Sequence, residues 1–175
     1  MKRFIFCMAA AAMMAASGCS TPIVQAKPDI DKCFTAEAEI KIGGDVLSGS
    51  ISRKDEGCWE LCVTEPFPLE GLTVTVDEEG TKLSMLGMEA NADFSDNASS
   101  AVRLITEAFE SAADNAEGYA ENAFKGTNEN GGFVITIDEN GVPTGINLSG
   151  HGIAVKLSEW VEMEVNAEEG EAVLE

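Results

Sequence analysis

The chain has 175 residues, with 11 Lys and Arg against 31 Asp and Glu, a formal net charge of −20. A surface this acidic repels nucleic-acid phosphates and anionic head groups, which removes nucleic acid as a partner class. The charge reads as solvation of a tethered protein, with capture of a cationic ligand as the electrostatic alternative.

Residues 1–18 have the three-part layout of a secretory signal. Lys2 and Arg3 give a basic start, Phe4 to Ala16 is apolar almost throughout, and Ala16-Ser17-Gly18 supplies small residues before Cys19. The apolar run is too short to span a bilayer core, which takes ~20 residues. The segment resembles the bacterial lipobox, with Ala16 where a Leu is usual. The resemblance implies cleavage before Cys19 and a diacylglyceryl lipid on that cysteine. That would fix the chain on the extracytoplasmic face of the bacterial cell membrane, its expected location. Residues 19–32 contain Pro22 and Pro28, are otherwise largely polar, and show no periodicity; they read as a flexible tether.

From residue 33 the pattern becomes that of a domain, taken as 33–160. Phe34, Ala36, Ala38, Ile40 and Ile42 alternate with polar residues, the period of a half-buried strand. Leu47, Gly49 and Ile51 follow the Gly43-Gly44-Asp45 turn, and Trp59, Leu61 and Val63 follow the charged run Arg53 to Gly57, read as a turn. Residues 33–64 are therefore expected as a three-stranded antiparallel meander. Pro66 and Pro68 exclude a central strand and mark a corner. Leu72, Val74 and Val76 predict a fourth strand, and Thr81 to Met88 a fifth with a bulge where its phase slips at Met85 and Leu86.

The period then changes. Ala98, Val102, Ile105, Phe109, Ala112 and Ala116 recur at three and four, which predicts an amphipathic helix over 98–116. Residues 119–131 read as a loop. Phe133, Ile135 and Ile137, then Ile146 and Leu148, then Ile153, Val155 and Leu157 predict three more strands, the first two joined through Asn140-Gly141, a strong hairpin signal. Residues 161–175 hold six glutamates and no Lys or Arg, and read as a frayed acidic tail. The expected fold is α+β: a curved antiparallel β-sheet, or half-barrel, of about eight strands with one long helix on its concave face.

Few residues offer chemistry. No G-x-S-x-G is present, and the Ser149-Gly150-His151-Gly152 run has the wrong order for a nucleophile elbow. His151 is the sole histidine and falls at a turn. Asp138-Glu139-Asn140-Gly141 starts like a calcium loop, but position twelve is Ser149 rather than Glu, so a hairpin turn is the better reading. No catalytic residue, cofactor or metal is expected, and the chain is read as a non-enzyme and a monomer. With Cys7 in the leader and Cys19 lipidated, Cys33, Cys58 and Cys62 remain. Four strand residues put Cys58 and Cys62 ~13 Å apart, and two strand spacings put Cys33 ~9.6 Å away, both beyond disulfide reach, so three free thiols are expected.

The landmarks Phe34-x-Ala36-x-Ala38, Pro66-x-Pro68-Leu69-x-Gly71-Leu72, Leu86-Gly87-Met88, the helix, Gly132-Phe133 and Gly141-x-Pro143 span most of residues 34–157. In that order they resemble Gram-positive lipoproteins whose domain has the fold of the Lol-type periplasmic lipoprotein carriers. The resemblance implies a half-barrel whose concave side faces the helix, and in the better-understood relatives that side holds acyl chains or a lipoprotein's lipid. Phe34, Ile40, Trp59, Leu61, Val74, Phe133 and Ile135 would line the sheet face here, with Val102, Ile105 and Phe109 opposite them on the helix, and all of these except Trp59 are the nine candidate ligand contacts. The expected function is binding of a hydrophobic ligand, such as a lipid or acyl chain, in a slot between helix and sheet; the alternative, served by the same residue types, is the filled core of an envelope structural or interaction module.

Overall fold

The computed structural model describes residues 30–92, 97–114, 119–120 and 122–163. Cys19, the leader, most of the tether and residues 164–175 lie outside the described residues.

The first five strands are β1 (Phe34–Ile42), β2 (Asp45–Asp55), β3 (Cys58–Glu65), β4 (Thr73–Asp77) and β5 (Gly80–Met85). They form the expected antiparallel meander, because each holds the period-two alternation that buries one face. The proline corner between β3 and β4 is a short 3₁₀ turn at Phe67–Leu69. The slip at Met85 and Leu86 is not a bulge. Leu86 (φ 52°) and Gly87 (φ 78°) form a two-residue hairpin turn into a further strand, β6 (Met88–Asn91), paired to β5.

Helix α1 (Asn97–Asp114) follows, as the three-four spacing predicts. The stretch expected as a loop instead contains β7 (Tyr119–Ala120) and β8 (Ala123–Asn128). β9 (Gly131–Ile137), β10 (Pro143–Leu148) and β11 (Ile153–Glu162) complete the sheet. Eleven strands therefore replace the expected eight, β7 being a two-residue stub. The tail begins later than expected, since Val161 and Glu162 belong to β11 and the Met163 amide donates to the Cys33 carbonyl at 2.9 Å. The domain also starts earlier: Ile30, assigned to the tether by composition, is fully buried in the core, and Lys32 pairs with Glu162 at 2.9 Å.

The strand order is β6-β5-β4-β3-β2-β1-β11-β10-β9-β8-β7, all antiparallel and open at both edges. The first and last strands pair at the centre, and α1 comes between the two edge strands, β6 and β7, in the chain. The sheet curls strongly. β3 and β8 are six strands apart in this order, ~29 Å in a flat sheet at ~4.8 Å per spacing. Yet Gly57 and Trp59 at the start of β3 share one cleft with Asn128, Glu129 and Asn130 at the end of β8, with α1 between them. The helix contacts both wings, through β4 and β8.

A bulge at the far end of β11 completes the concave face. Ile153, Val155 and Leu157 point inward, so strict alternation would turn Glu159 in and Trp160 out. The β1–β11 register shifts there, between Glu37↔Ser158 and Thr35↔Val161, and Glu159 adopts φ 52°. The extra residue reverses the phase and lays Trp160 flat on Phe34, with ring centroids 3.6 Å apart.

Candidate functional site

The face between α1 and the sheet is where sequence reasoning places a ligand. All nine candidates meet there. Phe34, Ile40, Leu61, Val74, Phe133 and Ile135 come from the sheet, and Val102, Ile105 and Phe109 from the helix. Every one is at most 4% exposed. Ala101, Ala108 and Ala112 share the buried helix face, and Ala36 and Ala38 are buried at the centre of β1. Phe34, Trp59 and Phe109 form an aromatic triangle with centroids 5.3–6.1 Å apart. Phe34 and Trp59 meet edge to face, a favoured geometry for two quadrupoles.

Sequence reasoning missed the polar clasp beside the C-terminal half of α1. Arg53, read as part of a charged turn, lies within β2 and is 4% exposed. It continues the inward phase of Gly49 and Ile51, which was the available signal. Its Nε and Nη2 donate to the two carboxylate oxygens of Glu110 on α1 at 2.9 and 2.7 Å. Its Nη1 donates to the Asp31 carbonyl. Glu110 also accepts from Trp59 Nε1 at 2.6 Å and from the Gly57 amide at 3.1 Å. Burial pushes the Glu110 carboxyl upward, but the Arg53 guanidinium, the indole N–H and the Gly57 amide together hold it below the ordinary carboxylate value. The bond to Glu110 raises Arg53 against the opposing effect of burial. A second latch lies nearby: Glu107 accepts from Arg103 on its own helix and from Asn130 at the tip of the β8–β9 hairpin. The helix is thus pinned to both wings of the sheet.

Surface clefts of about 380, 450 and 290 Å³ are lined by none of the nine candidates, although Trp59, expected on the same sheet face, lines the first of them. The cleft of about 380 Å³ beside α1 has Trp59 and Val76 together with Glu107, Glu110, Asp114 and Glu129. Glu107 and Glu110 are already occupied by the latches. Among the described residues, no group of three or more His, Cys, Asp or Glu side chains is placed to hold a metal ion. The Asp138 carboxylate, at the head of the calcium-like run, accepts from the Asn140 and Val142 amides at 2.8 and 2.9 Å. The Val142 contact does most to lower its pKa, so the carboxylate serves its own turn. His151 is exposed, with Nε2 2.7 Å from the Asn130 carbonyl oxygen. Cys33, Cys58 and Cys62 are all free thiols, half-buried, as the strand spacings require.

No protein-family model matches the sequence, and neither does any curated protein. Among solved structures, the chain is similar to an uncharacterized conserved protein from Thermus thermophilus, at 10% identity and a TM-score of 0.46, over 77% of this chain and 81% of that one. It is also similar to a LolA superfamily protein from Nitrosomonas europaea, at 10% identity and a TM-score of 0.43, over 79% of this chain and 90% of that one. Both are similarities in the run of the chain, and they carry no information about ligand or activity.

Proposed function

We propose that this chain is an extracytoplasmic lipoprotein, held at the bacterial membrane by a lipid on Cys19, whose half-barrel is a filled module that works by contact with other macromolecules. The observation that carries the second part is the burial of the nine facing side chains. A void wide enough for an acyl chain would leave accessible surface on the side chains around it, even where an apolar void stays dry. These are 0–4% exposed. The two latches hold α1 down on both sides of that face. The anchor rests on the Ala16-Ser17-Gly18-Cys19 run and the apolar stretch before it. A diacylated cysteine supplies two acyl chains, enough for stable membrane attachment.

A second reading is carriage of a hydrophobic ligand taken up when α1 lifts. It is favoured by the apolar character of the facing side chains, which helix and sheet contribute alike, as in a ligand slot. Mass spectrometry of the intact chain purified from membranes separates the two. The proposal expects the mass of the mature chain plus the Cys19 lipid and nothing else. A further stoichiometric lipid mass would favour carriage, and an unmodified N-terminus elsewhere than Cys19 would remove the anchor.

A further inference from the structure

Five large apolar side chains stand exposed among the described residues, and four of them sit at one end of the sheet. Val46 follows the β1–β2 turn, Phe67 is in the proline corner, Leu86 is in the β5–β6 turn and Met88 follows it. The pairings Ser48↔Glu65, Cys62↔Thr73, Thr73↔Ser84 and Met85↔Met88 put these turns along the same end of the sheet. Phe67 is 84% exposed, Leu86 86% and Met88 68%. A cleft of about 450 Å³ runs between Phe67, Pro66 and Val46.

Leu86 makes this end more than a scatter of apolar residues. It occupies the first left-handed position of the hairpin turn (φ 52°), where Asn, Asp or Gly is preferred and a branched side chain is disfavoured. At 86% exposure it packs on little of its own chain, so no contact within the fold offsets the strain. Uncompensated strain on a surface side chain points to a contact outside the molecule.

The charges around the patch select the occupant. Asp45, Glu65, Glu70 and Glu89 are exposed around it, and none is in an ion pair among the described residues. Lys41, at the same end, is held by Glu39 at 3.1 Å. A second copy would press two acidic rims together, and an anionic bilayer would repel the same rim. Ile30 and Cys33, among the first described residues, lie at the opposite end of β1 from this patch. Resting on the contact-module reading, we propose that this end of the sheet docks a protein whose contact surface presents apolar side chains rimmed by Lys and Arg.

The test uses the chain from residue 19 onward with Cys19→Ser, and a random peptide library displayed on phage as the probe. Selected peptides should pair aromatic or aliphatic residues with Lys or Arg. Leu86→Asn and Phe67→Ser should each weaken them about tenfold or more, as loss of an apolar anchor does. Val161→Ser, at the exposed apolar site on the other end, should leave binding unchanged. Leu86→Asn should at the same time raise Tm, because Asn tolerates the left-handed position. The proposal is overturned if no peptide is selected, if the peptides lack basic residues, or if both variants bind as the parent does. It is overturned equally if Phe67 and Leu86 prove to drive binding to phosphatidylglycerol vesicles or self-association. Saturable fatty-acid uptake with peptide binding intact would instead overturn the filled-core reading and leave this surface standing.

Discussion

Glu110→Ala should lower the stability of the domain by roughly 3 kcal/mol. The carboxylate accepts four hydrogen bonds, two from Arg53, one from Trp59 and one from Gly57. Removing it leaves the Arg53 side chain, 5% exposed, without its counter-charge, and leaves the indole N–H without an acceptor. Breaking one partner of a buried pair costs about 3–5 kcal/mol. The Glu110 side is a quarter exposed, so water reaches the vacated space and the lower end of that range applies. For a domain of this size that is a fall of roughly 10 °C in Tm. Trp59 and Trp160 both sit at this face, so tryptophan fluorescence during urea or thermal unfolding reads the change. Arg53→Met/Glu110→Met should be less destabilised than Glu110→Ala, because no charge is left buried and unpaired. The pH dependence has a defined sign. The folded-state carboxyl lies below its unfolded value, so the stabilisation is full above the ordinary range near ~4.3 and is lost as pH falls through the folded value. The parent and Glu110→Ala should therefore converge in acid. A variant within about 0.5 kcal/mol of the parent at neutral pH, the level of an ordinary surface change, would refute the clasp.

Phe109→Ala removes a buried ring that touches Phe34 and Trp59, and should cost about 3–5 kcal/mol in urea unfolding; unchanged stability would mean that the helix faces another way. Gly49→Ala would place a Cβ 2.1 Å from the Cys62 carbonyl oxygen of the paired strand, so β2 and β3 must part, at roughly 2 kcal/mol. Gly44→Ala, with nothing within 4 Å, serves as the control and should stay within about 0.5 kcal/mol of the parent. Titration of the denatured, unreduced chain from residue 19 onward carrying Cys19→Ser with a thiol reagent should count Cys33, Cys58 and Cys62, and fewer than three would require a different strand order.

The parts of the fold legible in the sequence are those where one face is buried without interruption. β1 to β4 announce themselves because Phe34 to Ile42, Leu47 to Ile51, Trp59 to Val63 and Leu72 to Val76 alternate cleanly. The helix does so because Val102, Ile105, Phe109 and Ala112 keep to one stripe. The nine facing residues were found for the same reason. What escaped has no such signature. All four residues of β6 are exposed, and the Leu86-Gly87 turn carries a leucine where a turn residue is expected. In β8 only Phe124 is buried, and Gly126 follows it because a Cβ there would strike Phe133. Trp160 is invisible to alternation because a bulge reverses the phase before it. Arg53 hid in a run of charges, although it keeps the inward phase, because a charged residue is seldom buried without a partner. Its partner lies 57 residues away on the helix, a separation that local pattern does not report.

The most direct test is titration of the chain with cis-parinaric acid, a fatty acid that fluoresces when taken into an apolar site. A filled core closed by α1 predicts no saturable signal with the probe in excess over protein, for the parent and for Glu110→Gln alike. One-to-one saturable binding, displaced by palmitate and abolished by Phe109→Ala, would contradict it and make the face between helix and sheet a ligand site.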